Sequence, residues 1–482
     1  MRKLILFLII PVLFSSSACK KFLDVNQNPN NPEKVPPSVL LAQTTIGIAF
    51  ANANDLDRAT SVIIQHLAGT GSQALDYDVY KLEGYFDNQW NFELYNGAIN
   101  NLVKLIEENQ ETSPQYAGVA KLEMAYAFAM LTDLWGEVPY SQAGFGLKYL
   151  TPRFDKQEDI YLGKAADSIK SLFDLVREGM ADLDKPSILK PGKDDIVYGG
   201  NLNKWKQMGN TLLLKFANQI SNRNTALAKS TIDGVLAGGS YIIADTSNFE
   251  VPFGGTGNQN PLYSFNYLNR PTDQMLSVRL LTLVKDLNDT VRLAKYFTKP
   301  GGAFVGYDNG NTVSSPTAAN RSRYNAYIVG AGGEAPARLM TFAQVNFILA
   351  ESALTLGTAG DPNTYYQAGI KSNMQKVGMT TAEINTYFAD NPTVVNLNGN
   401  DDNKLKQIIT QKYISWIGNG VEAFNDYRRT GYPVLALARN AAGHDPNTIP
   451  TRLTYPNGEL QRNPNTPNPI TRTNVKLWWA KQ

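Results

Sequence analysis

Apolar residues recur along 404–433 (KLKQIITQKYISWIGNGVEAFNDYRRTGYP) with the spacing of a helix. Leu405, Ile408, Ile409, Tyr413, Trp416 and Ile417 fall at i, i+3, i+4, i+8, i+11 and i+12, which is one stripe of a 3.6-residue turn. Gly418 and Gly420 follow, supplying the positive φ that ends a helix without a Cβ penalty. Val421, Phe424 and Tyr427 begin a second, shorter stripe, which Gly431 and Pro433 close. Two antiparallel helices on a tight glycine turn are expected. Arg428 and Arg429 then lie at the C-terminal end of the second, where the macrodipole favours cations. A cap, or a buried pair with an acid such as Glu422 or Asp426, satisfies them better than a bound anion.

The same periodicity predicts helices over most of the chain. Residues 38–53, 54–68 and 87–110 read as helical, and 114–135 as another, with Ser113 as its cap and Pro114 in its first turn. Val119, Leu122, Met124, Ala125, Tyr126, Phe128, Ala129 and Leu131 surround that last helix, so it is expected to be buried on most sides. Further single-faced helices are predicted over 158–183, 203–221, 272–289, 338–356, 362–377 and 380–390. Antiparallel neighbours on short loops are the simplest packing for so many amphipathic helices, and no fixed repeat period is present. Between them run 239–271, 299–337 and 441–475, dense in Gly, Asn, Pro, Thr and Tyr. Loops that long and that aromatic are expected to be ordered and functional.

The N-terminus changes the picture. Arg2 and Lys3 precede an apolar run from Leu4 to Phe14, then Ser15, Ser16, Ser17, Ala18 and the sole cysteine, Cys19. A basic start, a run too short to span a bilayer and small residues before the cut describe an export signal over 1–18. A cysteine at that place has the form of a lipobox, so Cys19 is the expected lipidation site and the acyl chains the only anchor. Residues 19–37, rich in Asn and Pro, read as a tether, and 38–482 as one helical domain. One cysteine forms no intramolecular disulfide, so stability must come from the core. Removing Arg2 and Lys3 leaves 43 basic against 43 acidic residues, which argues against nucleic acid as a partner.

The run QKYISWIGNGVEAFNDYRRTGYP (411–433) resembles the C-terminal signature of the SusD/RagB family of outer-membrane nutrient-binding lipoproteins. Four other segments resemble family elements in family order: DLWGEVPYSQA (133–143), NKWKQMGNTLLLKFANQISN (203–222), RLMTFAQVNFILAESALTLG (338–357) and TNVKLWWAKQ (473–482). The TGYP ending is closest to the second SusD-like subgroup. The resemblance implies an all-α fold, a bundle of four tetratricopeptide-like helix pairs with long irregular loops. It implies a lipid-anchored protein on the cell-surface side of the outer membrane. Such a protein captures an oligosaccharide, or in some relatives a peptide, for a SusC-like TonB-dependent transporter. No catalysis, cofactor or metal is implied.

Sugars are held by flat rings against their C–H faces and by amide, carboxylate and guanidinium groups on their hydroxyls, which calls for aromatics on loops. Two stretches qualify. Asp76–Trp90 offers Tyr77, Tyr80, Tyr85 and Trp90, although Phe86 and Trp90 read equally as core at a helix start. Phe253–Arg270 offers Asn258, Gln259, Asn260, Tyr263, Phe265, Tyr267 and Arg270. Trp135, Trp205, Trp416, Trp478 and Trp479 lie in signature elements and read as core. Two other classes stay open. A secreted glycoside hydrolase needs two carboxylates, and Asp133 and Glu137 stand beside Trp135 and Tyr140. An adhesive surface protein predicts aromatic loops packed shut. With His66 and His444 the only histidines, no Cys/His pair or zinc cluster is offered.

Overall fold

The apolar stripe of the C-terminal quarter forms helix Asp401–Ser415 in the computed structural model, which describes residues 35–467 and 472–481. Ile408, Ile409, Tyr413, Trp416 and Ile417 are buried, and Leu405 lies at the edge of the core. Gly418 adopts the positive φ expected of it, at 94°. Gly420 does not. It opens helix Gly420–Thr430, and a Cβ there would lie 2.4 Å from the Ser61 backbone nitrogen, so its role is close approach to helix Asp57–Ile63. Asn419 caps this second helix, its Oδ1 accepting from the Glu422 N–H at 3.3 Å.

Helix Gly420–Thr430 carries charge into the interior, and its partners come from other helices. Arg429 donates to Glu351 Oε2 at 2.8 Å and to Asp426 Oδ1 at 2.9 Å, and Lys412 Nζ lies 2.8 Å from the same Asp426 oxygen. The expected acid partner Asp426 is therefore used. Glu422 turns away from both arginines to accept from Lys215 Nζ and from Gln344 Nε2, the latter at 3.2 Å. Arg428 donates to backbone carbonyls, those of Asp133 and Thr451 among them.

Around this helix the fold is the expected all-α bundle of helix pairs with long connections. Pro37–Ala51 packs on the π-helical segment Gln89–Ile99 and on Asn100–Asn109; Pro114–Trp135 packs on Leu172–Asp182. Leu202–Ile220 pairs with Thr225–Gly238, and Phe342–Leu356 with Pro362–Lys376. One continuous apolar cluster runs through all of them, from Leu40 to Ala480. In Pro114–Trp135 every residue but Met124 is buried. The five signature tryptophans behave as core, with Trp478 alone partly buried. The signal, Cys19 and the tether up to residue 34 lie outside the described residues.

Several elements depart from the periodicity for local reasons. Gly163, at φ 79°, splits the 158–183 helix into Gln157–Leu162 and Leu172–Asp182. Segments 272–289 and 338–356 each begin as a strand. Gln274–Leu276 pairs antiparallel with Leu67–Gly69, and Ala337–Met340 with Phe249–Val251. Ser113 does not cap its helix; its hydroxyl accepts from the Leu189 N–H at 3.2 Å. Thr225–Gly238 is a helix that the pattern did not reveal. Its threonines and glycines dilute the stripe to Ala228, Thr231, Ile232 and Val235, and Asn224 starts it by accepting from the Leu227 N–H at 3.1 Å.

Two tests follow from the buried charges. Replacing Arg429 with Met leaves Glu351 and Asp426 buried without their shared cation. Urea unfolding is expected to show a loss of about 3–5 kcal/mol, and a loss near zero would show that the ion pair carries no stability. Glu123, fully buried on the Pro114–Trp135 helix, accepts hydrogen bonds from Thr44 and Thr45. Burial raises its pKa from 4.5 to about 8, against the pull of those two hydroxyls. The folded protein thus holds this proton more tightly than the unfolded chain, so between pH 4.5 and about 8 stability falls as pH rises, by ~1.4 kcal/mol per pH unit. Glu123→Gln removes that slope. Thermal midpoints of variant and wild type are expected to diverge in the variant's favour between pH 5 and pH 9.

Candidate ligand-binding site

The two aromatic stretches meet at Arg58. Where the first long helix gives way to the π-helical segment Asn52–Leu56, Asn54 takes φ −97° and ψ −122°, and the following turn aims Asp55 and Arg58 sideways. Asp55 accepts from Arg58 Nη2 at 2.7 Å, from the Tyr77 hydroxyl at 2.9 Å and from Gln73 Nε2 at 3.3 Å. On the other side the Arg58 guanidinium lies 4.1 Å over the Phe265 ring. Arg58 Nη1 also donates to Asn54 Oδ1 at 2.9 Å, and Asn54 Nδ2 donates to Glu93 Oε1 at 2.8 Å. One cation thereby ties residues 73–93 to residues 261–270. The sequence does mark these residues, as a polar run, NANDLDR (52–58), inside an otherwise apolar helical pattern. Nothing in that run announces its partners.

The first stretch differs from the expectation of exposed rings. Tyr77, Tyr80 and Trp90 are only 1–2% exposed. The Tyr80 hydroxyl accepts from the Ala438 N–H at 2.9 Å, and Trp90 packs edge-on to Trp135 at 5.2 Å and against Phe154 at 6.2 Å. These three rings, with Phe86, anchor the loop to the core; Tyr77 and Tyr80 leave no face for a ligand, and Trp90 forms part of the wall of a separate cavity. Tyr85 alone stays half-exposed, its hydroxyl donating to Asp76 and its ring edge-on to Tyr77 at 5.3 Å.

The second stretch is more open. Asn260 is the exception. It is buried, its Oδ1 accepting from Leu262 N at 2.8 Å and its Nδ2 donating to the Ala335 carbonyl at 2.9 Å, so it caps a turn. Tyr263 and Tyr267 stack in parallel, 5.3 Å apart with 7° between their planes, both half-exposed. The Tyr267 hydroxyl donates to the Tyr324 carbonyl at 2.6 Å, and Arg323 covers its ring at 4.3 Å. Gln259 is half-exposed and donates to the Gly332 carbonyl at 3.2 Å; Asn258 and Arg270 stand in solvent. A fixed double ring beside free amide and guanidinium groups can hold a flat, hydroxylated molecule.

Glu93 has a displaced carboxyl. Burial raises its pKa to about 7, the charge of Asp55 adds to the rise, and hydrogen bonds from Asn54 and Gln89 resist it. The carboxylates of the hydrolase alternative are placed differently. Asp133 is buried among the helices and accepts from the Tyr161 hydroxyl at 2.9 Å, so it does not face an open cleft. His66 is also enclosed, with Nε2 3.0 Å from the Tyr413 carbonyl and its pKa lowered to about 3 by burial. Among the described residues no cluster of three His, Cys, Asp or Glu side chains is placed to hold a metal. None of the described helices is long and apolar enough to cross a membrane.

A family profile described as "Starch-binding associating with outer membrane" matches residues 29–456. The chain belongs to the SusD-like family. Solved SusD-like structures share its fold. A protein described as chitin-binding aligns with a TM-score of 0.79 at 23% identity, covering 93% of this chain and all of its own. A chitin-binding SusD homologue from Flavobacterium johnsoniae aligns at 0.76 and 21% identity, covering 91% and 98%. A SusD homologue from Bacteroides uniformis aligns at 0.73 and 23%, covering 92% and 99%. At these identities the likeness speaks for the fold alone. Among curated proteins none matches the chain.

Arg58→Met tests whether one cation organises both stretches. Amide exchange is expected to quicken in 72–80 and in 261–270 together, with a loss of about 1–3 kcal/mol in overall stability. Faster exchange in only one stretch would show that the two are held independently.

Proposed function

We propose that this SusD-like protein captures an oligosaccharide outside the outer membrane, without cleaving it, and delivers it to a SusC-like TonB-dependent transporter. The family profile, with its starch-binding and outer-membrane description, supports the setting, as does the lipobox at Cys19. The chitin-binding neighbours favour β-linked, N-acetylated glycans as the first ligands to try. The observation that carries the reading is the stacked Tyr263–Tyr267 pair beside Asn258, Gln259 and Arg270. Rigid rings lose little entropy on binding, and the exposed Asn258 and Arg270 side chains, with the Gln259 amide oxygen, can meet hydroxyls and acetamides. Tyr85 is the residue of the first stretch that retains a face for the same ligand.

The chain from Lys20 onward, which keeps every described residue, is to be titrated calorimetrically with chito-, malto-, cello- and xylo-oligosaccharides and with a peptide pool. Saturable binding to one glycan series is expected, weakened about tenfold or more by Tyr263→Ala or by Arg270→Ala, with the glycan recovered intact. Peptide binding alone, or cleavage of the glycan, would overturn the reading.

A further inference from the structure

A second groove lies on another side of the same π-helical segment that supports the loops. In Gln89–Ile99, Gln89 and Glu93 turn toward Asn54, whereas Asn91, Tyr95 and Asn96 line a cavity of about 280 Å³. Its other walls come from distant parts of the chain. The loop after the Pro114–Trp135 helix contributes Gln142, Phe145 and Tyr149, and helix Asn457–Arg462 contributes Glu459.

The chemistry of the walls is specific. Phe145 and Tyr149 stand edge to face, 6.2 Å apart at 78°, and both reach solvent. Gln142 commits its Oε1 to the Arg153 N–H at 2.9 Å, and Asn96 commits its Oδ1 to Asn100 at 2.9 Å, which leaves both amide NH₂ groups open. Among the described residues the side chain of Asn91 makes no hydrogen bond. Tyr95 is part of the wall, since its hydroxyl is held by the Pro139 carbonyl at 2.8 Å. The cavity wall itself carries no lysine or arginine among the described residues, and Lys148 Nζ stands beside it over both rings, 5.5 Å from the Phe145 centroid and 5.3 Å from that of Tyr149. Burial keeps the Glu459 carboxyl above its usual pKa, which lessens the charge it presents.

We infer that this groove is a second carbohydrate subsite, which takes the end or a short branch of a glycan. Ring faces of Phe145 and Tyr149 meet the sugar's C–H surface while the free amides of Asn91, Asn96 and Gln142 meet its hydroxyl or acetamide oxygens. The volume is close to the lower bound of ~300 Å³ for small-molecule sites, which suits roughly one or two pyranosyl residues and not a long chain. Exposed Leu147 and Leu150 beside it give the rim an apolar edge. The inference shares the glycan reading above and adds a site that does not depend on Tyr263 and Tyr267.

Saturation-transfer NMR with N,N′-diacetylchitobiose, cellobiose and maltose tests it on three proteins. These are the chain from Lys20 onward, its Asn91→Ala/Gln142→Ala variant, and its Tyr263→Ala/Tyr267→Ala variant. At least one disaccharide is expected to bind the first and third, with affinity falling tenfold or more in the second at an unchanged thermal midpoint. Equal affinity in the first two proteins, or no transfer to any of the three sugars, overturns the subsite. Loss confined to the tyrosine variant also overturns it while leaving capture at the loops intact. Oligosaccharide capture failing with disaccharide binding retained would overturn the loop reading and not this one. If Leu147→Ser/Leu150→Ser abolishes recovery of a membrane protein and the groove variant leaves sugar binding unchanged, the face is a protein interface and the subsite falls.

Discussion

The fold depends on the charges that helix Gly420–Thr430 carries into an apolar interior. A buried charge is tolerated only when opposite charges and hydrogen bonds replace its water, so each side chain dictates where a second helix must sit. Asp426 places Lys412, and with it helix Asp401–Ser415. Arg429 places Glu351 on Phe342–Leu356; Glu422 places Lys215 on Leu202–Ile220; Arg428 reaches the end of Pro114–Trp135 and the loop at Thr451. Burial by itself would raise the Asp426 carboxyl, yet Lys412 and Arg429 together hold it below the ordinary value. One helix of eleven residues thereby fixes partners on four others and on a C-terminal loop. Hydrophobic burial favours any close packing of these helices, whereas ion pairs of this geometry favour one.

The loops inherit their shape from that frame. Helix Asp57–Ile63 lies against Gly420, where any side chain would strike Ser61, and Arg58 projects from it to join the two aromatic stretches. The π-helical segment Gln89–Ile99 then serves two sides at once. Glu93 and Gln89 complete the network at Asn54, and Asn91 and Asn96 open toward the groove of Phe145 and Tyr149. An extra residue per turn is what lets neighbouring polar side chains point to such different surroundings.

Much of the helical frame was legible in the chain, because a stripe of apolar residues is a property of consecutive positions. The 404–433 hairpin, the enclosed 114–135 helix and the core tryptophans all follow from spacing. Thr225–Gly238 was hidden where threonine and glycine thin the stripe, and the short strands at 274–276 and 337–340 were absorbed into helical runs because three or four residues show no period. In the candidate site, the open groups Asn258, Gln259, Tyr263, Tyr267, Arg270 and Tyr85 were named in advance, and so were Tyr77, Tyr80, Trp90 and Asn260, which the structure turns inward.

The amino-acid sequence by itself therefore determined most of the helical frame, the glycine turn, the family and two aromatic stretches as candidates for ligand contact. Tertiary structure alone decided which rings face water. Tyr80 is closed by a backbone N–H 358 residues away, Trp90 by Phe154 and Tyr455, and the Phe145–Tyr149 groove by a helix from the far end of the chain. A tyrosine written in a loop is the same letter whether its face is covered or bare. What covers it arrives from distant segments, whose positions are set by the buried charges of the frame and not by the neighbours of the ring.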